Sequence, residues 1–196
     1  MNAHRYFLVN KPINMVSQFV SSHDVQLLGN LKFNFPEGTH AIGRLDQNSE
    51  GLLLLTTNKK ITKLLFQGPV PHKRTYLVQV KNRMLPETAQ RLAEGIAISA
   101  KTGTQFITTP CQVLIVDKPA GLFEAGKPLH ENVVTTWLMI TLTEGRFHQV
   151  RKMVAAVNHK CIRLIRVSIE AIELGSMQPG QVLEIDEASF FEKLKL

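Results

Sequence analysis

Gly43-Arg44-Leu45-Asp46-Gln47-Asn48-Ser49-Glu50-Gly51 runs without a break into Leu52-Leu53-Leu54-Leu55-Thr56. Polar turn chemistry bounded by glycines gives way to a short apolar run, the pattern of a loop followed by a buried strand. Such a loop presents one side chain to a cleft while the strand behind it holds it rigid. The candidate is Asp46, which has Arg44 and Leu45 beside it. An Asp in a turn by default caps a backbone amide, so the remainder of the chain must decide between the two roles.

The 196 residues suit one domain, or two small lobes sharing a core. Hydrophobic residues make up 44% and aromatics 7%, so Leu, Ile and Val fill most of the interior. A formal net charge of +7 and a pI of about 9.6 favour a polyanionic partner, because each Lys or Arg set on a phosphate releases counterions. Cys111 and Cys161 show neither metal spacing nor a disulfide framework, and read as small buried apolar residues of a reducing compartment. His148 and His159, with Cys161 beyond, do not form a zinc pattern. The first residues lack the apolar region of a secretory signal, and no stretch reaches the length of a membrane span. A cytoplasmic protein is expected.

Tyr6 to Val9 reads as a strand closed by Asn10-Lys11-Pro12. Lys11 is either a solvated loop charge or a phosphate contact. Residues 17–41 read as loop with a short helix around Asp24 to Leu28. Lys59 to Phe66 has short helical spacing, stopped by Gly68-Pro69. A strand follows over 72–80, where Tyr76, Val78 and Val80 alternate with Leu77 and Gln79. Pro86 to Glu94 is a helix with proline at its first position and Gly95 at its stop. Strands are expected at 96–98, 113–116 and 135–143, with a Gly/Pro-rich loop over 117–132. From His148 to Val157 the residues Val150, Met153, Val154 and Val157 make one apolar helix face, opposite Gln149, Arg151 and Lys152. Ile162 to Ile169 is a strand whose start alternates apolar and basic residues, Arg163 and Arg166 among them. Val182 to Ile185 is the last strand, and Asp186 caps a final helix through Leu194.

Four separated segments resemble one family. GRLDQNSEGLLLLTTN (43–58) resembles the catalytic-loop signature of the pseudouridine synthases, most of all the branch that modifies ribosomal RNA. Asn10-Lys11-Pro12 resembles the opening of that branch. EGRFHQVRKM (144–153) and Arg163-Leu164-Ile165-Arg166 resemble its later signatures, in the family's order. The resemblance implies an α+β fold: a mixed, mainly antiparallel central sheet with flanking helices and an active-site cleft. It further implies a single catalytic domain over 1–196, two sub-lobes sharing one sheet, without a small N-terminal RNA-binding module. The implied activity is isomerisation of uridine in RNA to its C-glycoside.

That reaction breaks an N-glycosidic bond and remakes it as a C–C bond, which calls for a carboxylate beside the sugar. By resemblance Asp46 is that carboxylate, Arg151 the cation that keeps it ionised, and Tyr76 the ring against the uracil. Leu164 is implied to form the other side of the base pocket, and Arg44 to fill the space left by the everted base. Arg74 stands where the family usually has Lys, a change of reach and geometry. Lys11, Arg146, His148, Lys152, Arg163 and Arg166 are the remaining RNA-contact candidates. Glu170 stands where the family commonly has Gly. No metal, redox cofactor or nucleotide is called for; the expected partner is ribosomal RNA, bound by a monomer. A non-catalytic RNA-binding or ribosome-assembly factor on the same scaffold, or an enzyme acting on transfer RNA, are the rival readings.

Overall fold

In the computed structural model, which describes residues 3–68, 70–100, 103–124, 126, 129–130 and 132–196, short strands and four helices follow one another along the chain. They are β1 (Tyr6–Lys11), β2 (His40–Ile42), β3 (Glu50–Thr56), α1 (Ile61–Gln67), β4 (Arg74–Lys81), α2 (Pro86–Glu94), β5 (Ala97–Ser99), β6 (Gln105–Ile107), β7 (Gln112–Val116), β8 (Thr135–Leu142), α3 (Gln149–Ala156), β9 (Cys161–Ile169), β10 (Ile172–Glu173), β11 (Val182–Ile185) and α4 (Glu187–Leu194). The chain divides into two compact units: residues up to His72 with Ile165–Leu196, and Lys73–Leu164.

The first unit is organised on β3. All seven of its residues are buried, as a continuous apolar run requires when both faces of a strand are covered. On one side β3 pairs antiparallel with β1, and β1 in turn with β11. On the other side it pairs antiparallel with β2 and, at Glu50 and Gly51, parallel with Ile165 and Arg166 of β9. Gly51 has φ +99, and a Cβ there would lie 2.3 Å from the Arg166 carbonyl oxygen, so only glycine admits this approach. Long-range aromatic contacts hold the irregular segment before β2: Phe33 and Phe35 meet Phe7 edge-on at 5.5 and 5.7 Å. The helix expected around Asp24 to Leu28 is absent; a 3-10 turn at Leu28–Asn30 stands instead, because no apolar face there sustains a longer helix.

After β9 the chain turns back into β10 through Glu170, at φ +47. The turn keeps the left-handed geometry that glycine adopts freely, and Glu170 supplies a compensating interaction. Its carboxylate, 6% exposed, accepts from Lys195 Nζ at 2.8 Å and lies 3.6 Å from His72 Nδ1. Asp186 caps α4 as read from sequence, accepting from the Ser189 amide at 2.9 Å.

The second unit pairs β4 with β8 along eight residues and β8 with β7, all antiparallel, with the β5–β6 hairpin separate. Its core gathers Val78, Val80, Leu92, Leu138, Ile140, Met153, Val154 and Leu164. Helix α2 matches its reading in both bounds, with Pro86 at the start and Gly95 at φ +107 after the end. Within each unit the described strand pairs are antiparallel apart from β3 with β9, the mixed and mainly antiparallel α+β pattern that was expected. Among the described residues of 117–132 there is neither helix nor strand; residues 125, 127, 128 and 131 lie outside the described residues, as does Pro69 of the expected helix stop.

Candidate active site

In the first unit, the 43–49 loop is clamped against residues 11–17. The Ser17 hydroxyl donates to the Leu45 carbonyl and accepts from the Leu45 amide, both at 2.9 Å. The Asn14 amide donates to the Gln47 carbonyl at 2.8 Å, and the Ser49 amide to the Asp46 carbonyl at 3.0 Å. Leu45 is buried beneath the loop, Asp46 is half-buried and Arg44 is exposed. The backbone on both sides of Asp46 is therefore fixed.

Lys11 departs from both sequence readings, the solvated loop charge and the phosphate contact. It is buried, and its ammonium donates to the carbonyls of Met15 at 2.6 Å, Pro12 at 2.8 Å and Gln47 at 3.5 Å. Burial pulls its pKa down to about 8; the Glu50 and Asp46 carboxylates act the other way, and the Arg166 charge adds to the lowering. An internal cation thus faces the loop that carries Asp46.

Arg166 and Arg163 also depart from the expected phosphate-facing placement. Arg166 is 2% exposed, and its Nε donates to the Leu52 carbonyl at 2.7 Å. Arg163, in the second unit, is 6% exposed; its guanidinium lies 4.8 Å from the Phe123 ring centre and reaches the Glu124 carbonyl at 3.4 Å. The alternation that suggested a basic face fails because β9 is buried on both sides from Arg163 to Arg166.

The second unit carries the other candidates. Tyr76 is half-buried on β4 opposite Ile140, and Leu164 is core. Arg151 is half-buried on α3, close enough to Cys161 to counter part of the rise that burial gives that thiol, which stands at about 11. Arg74 reaches over the Glu144-Gly145 turn, donating to the Thr143 carbonyl at 2.6 Å. A Cβ on Gly145 would come within 2.8 Å of its Nη1, so the glycine of this signature makes room for the guanidinium.

Glu144 and Gln149 shape the second signature in a way that the sequence reading did not show. One Glu144 oxygen accepts from Gln149 Nε2 at 2.6 Å and the Thr109 amide at 2.9 Å. Gln149 Oε1 accepts from the Arg146 amide at 2.9 Å. Gln149, read as part of the polar face, is 4% exposed because it closes this turn. His148 precedes α3 in the left-handed conformation, φ +54. Arg146 is exposed, with its guanidinium 4.1 Å from the Phe106 ring centre, and Lys152 Nζ donates to the Ser99 carbonyl at 2.7 Å.

A family model described as RNA pseudouridylate synthase matches residues 5–156. The chain belongs to that family. The match takes in the Asp46 loop, the Tyr76 strand and the 144–153 signature, and stops before Arg163. Among curated relatives, the chain is 35% identical to the ribosomal large subunit pseudouridine synthase E of Vibrio parahaemolyticus serotype O3:K6, over 92% of this chain and 74% of the relative. It is 34% identical to the enzyme of that name from Xanthomonas campestris pv. campestris, covering 92% of this chain and 95% of the relative. A crystal structure of a pseudouridylate synthase superposes with a TM-score of 0.79 at 27% identity, covering 99% of this chain and 75% of the other. The likeness read in the sequence, to the rRNA branch of the pseudouridine synthases, is borne out. Among the described residues no helix is long and apolar enough to cross a membrane.

Proposed function

We propose that this RNA pseudouridine synthase isomerises a specific uridine of large-subunit ribosomal RNA, with Asp46 as the working carboxylate. The observation that carries the assignment is the clamp: Ser17, Asn14 and Lys11 fix the backbone around a half-buried Asp46. A carboxylate carried on a backbone fixed in this way is preorganised to act beside the ribose. In the reaction the C1′–N1 bond breaks, the uracil turns, C1′ bonds to C5, and the C5 proton is lost as N1 gains one. Asp46 serves this sequence by bonding to C1′ or to C6 of the uracil, or by stabilising positive charge at C1′ and moving a proton. Its ring and cation partners, by the family pattern, are Tyr76 and Arg151, with Leu164 against the base and Arg44 in the space the base vacates. The substrate follows from the names of the relatives, and a cytoplasmic site of action from that substrate.

Asp46→Asn tests the assignment. Pseudouridine formation on large-subunit rRNA is expected to disappear while RNA affinity stays within a few-fold of wild type. A variant that still makes pseudouridine removes Asp46 from its role. Arg151→Ala is expected to cripple turnover and to lower stability, because it leaves a half-buried carboxylate without its cation; near-normal rates would dissolve the pairing.

A further inference from the structure

Phe147 is the sole aromatic among the described side chains that the fold leaves exposed, at 53%. It is not a loose side chain. Its ring lies on the His148 imidazole with centroids 3.9 Å apart and 15° between the planes. The left-handed backbone at His148 and the Glu144–Gln149 turn hold both residues just ahead of α3. Cations flank the stack. Lys152 Nζ stands 5.3 Å from the Phe147 ring centre, and the neighbouring exposed Arg146 lies across Phe106 at 4.1 Å. Glu144, the carboxylate of this turn, is 17% exposed and engaged with Thr109, Gln149 and Arg146.

An exposed flat apolar surface bordered by cations, with its carboxylate already engaged, suits one kind of ligand. Unpaired nucleotides stack their bases on aromatic and guanidinium planes while Lys and Arg meet the phosphates. A duplex hides its base faces, and an acidic peptide has no use for the rings. We infer that the Phe147–His148 pair is a stacking platform for an unpaired base of the substrate RNA, with Lys152 and Arg146 on the adjoining phosphates. This rests on the functional reading above and deepens it, since it gives a binding role to residues outside the Asp46, Tyr76 and Arg151 set.

The test uses the full chain and short single-stranded and duplex RNA oligonucleotides as probes, with binding read by fluorescence anisotropy. Phe147→Ala is expected to weaken single-strand binding about tenfold, with little change for duplex and an unchanged dependence on salt. Phe147→Leu, which keeps apolar bulk without a ring, is expected to match Ala. Phe147→Trp is expected to bind like wild type, with its fluorescence quenched when RNA is added. Thermal melting of each variant checks that the fold is kept. Wild-type affinity in the Ala variant, recovery by Leu, or an unquenched Trp each overturns the platform. Pseudouridine formation by the wild type is measured in parallel: an inactive wild type strikes the functional reading, whereas an active one with an indifferent Phe147 strikes this inference alone.

Discussion

At the scale of single residues, Lys11 shows how far burial changes the meaning of a charge. Its ammonium is taken from water and given three carbonyls and two nearby carboxylates. Below about pH 8 the folded and unfolded chains both carry this proton. Between about 8 and the ordinary lysine value of 10.5 the unfolded chain holds it more tightly, so the residue's contribution to stability rises with pH across that window. Comparing wild type with Lys11→Met by denaturant unfolding at pH 8 and pH 10, the difference is expected to move in favour of wild type at the higher pH. A difference that does not change with pH contradicts the lowered value. The sequence left Lys11 between two surface roles because Asn-Lys-Pro has the same local chemistry in either; the carbonyls of Met15 and Gln47 converge on it only in the folded chain. The loop that carries Asp46 was legible by contrast, since it announces itself in consecutive turn residues. Glu170 stood out as a departure, and its role emerged only with His72 and Lys195 beside it, from distant parts of the chain.

At the scale of elements, the strand β3 and the glycine at its head determine where the loop ends. Gly51→Ala would drive a Cβ into the Arg166 carbonyl and impose a φ of +99 on a residue that resists it. We expect a loss of at least about 2 kcal/mol of stability by denaturant unfolding, with activity falling further as the Asp46 loop shifts. A variant as stable and active as wild type would show that the close approach of β3 and β9 is dispensable. Elements with their own punctuation were readable in advance: α2 between Pro86 and Gly95, and α4 after Asp186. Those that escaped are short. β2, β6 and β10 span three residues or fewer, and their pairing with β3, β5 and β9 creates them, with no sequence period of their own. The Phe7, Phe33 and Phe35 contacts that anchor an apparently featureless loop were hidden for the same reason.

At the scale of the whole molecule, the net charge of +7 overstates the basic surface, since Lys11, Arg163 and Arg166 are inside. The exposed cations still suffice for RNA. Binding to an rRNA fragment is expected to weaken with added salt, with log affinity falling by roughly 3 or more per decade of salt, about what several neutralised phosphates give. A flat response would leave the basic surface without its docking role.

The unit that holds Asp46 is assembled from both ends of the chain: β11 closes on β1, and β9 closes on β3. During synthesis β1, β2 and β3 can pair with one another, but their β9 and β11 neighbours arrive only after the intervening ninety-odd residues have been made. The continuous Lys73–Leu164 block has no such dependence and is free to condense first. The Asp46 loop thus gains its support from β9 last, so an interrupted translation product carries the inner block and the early strands, with nothing yet packed against Gly51 at the end of that loop.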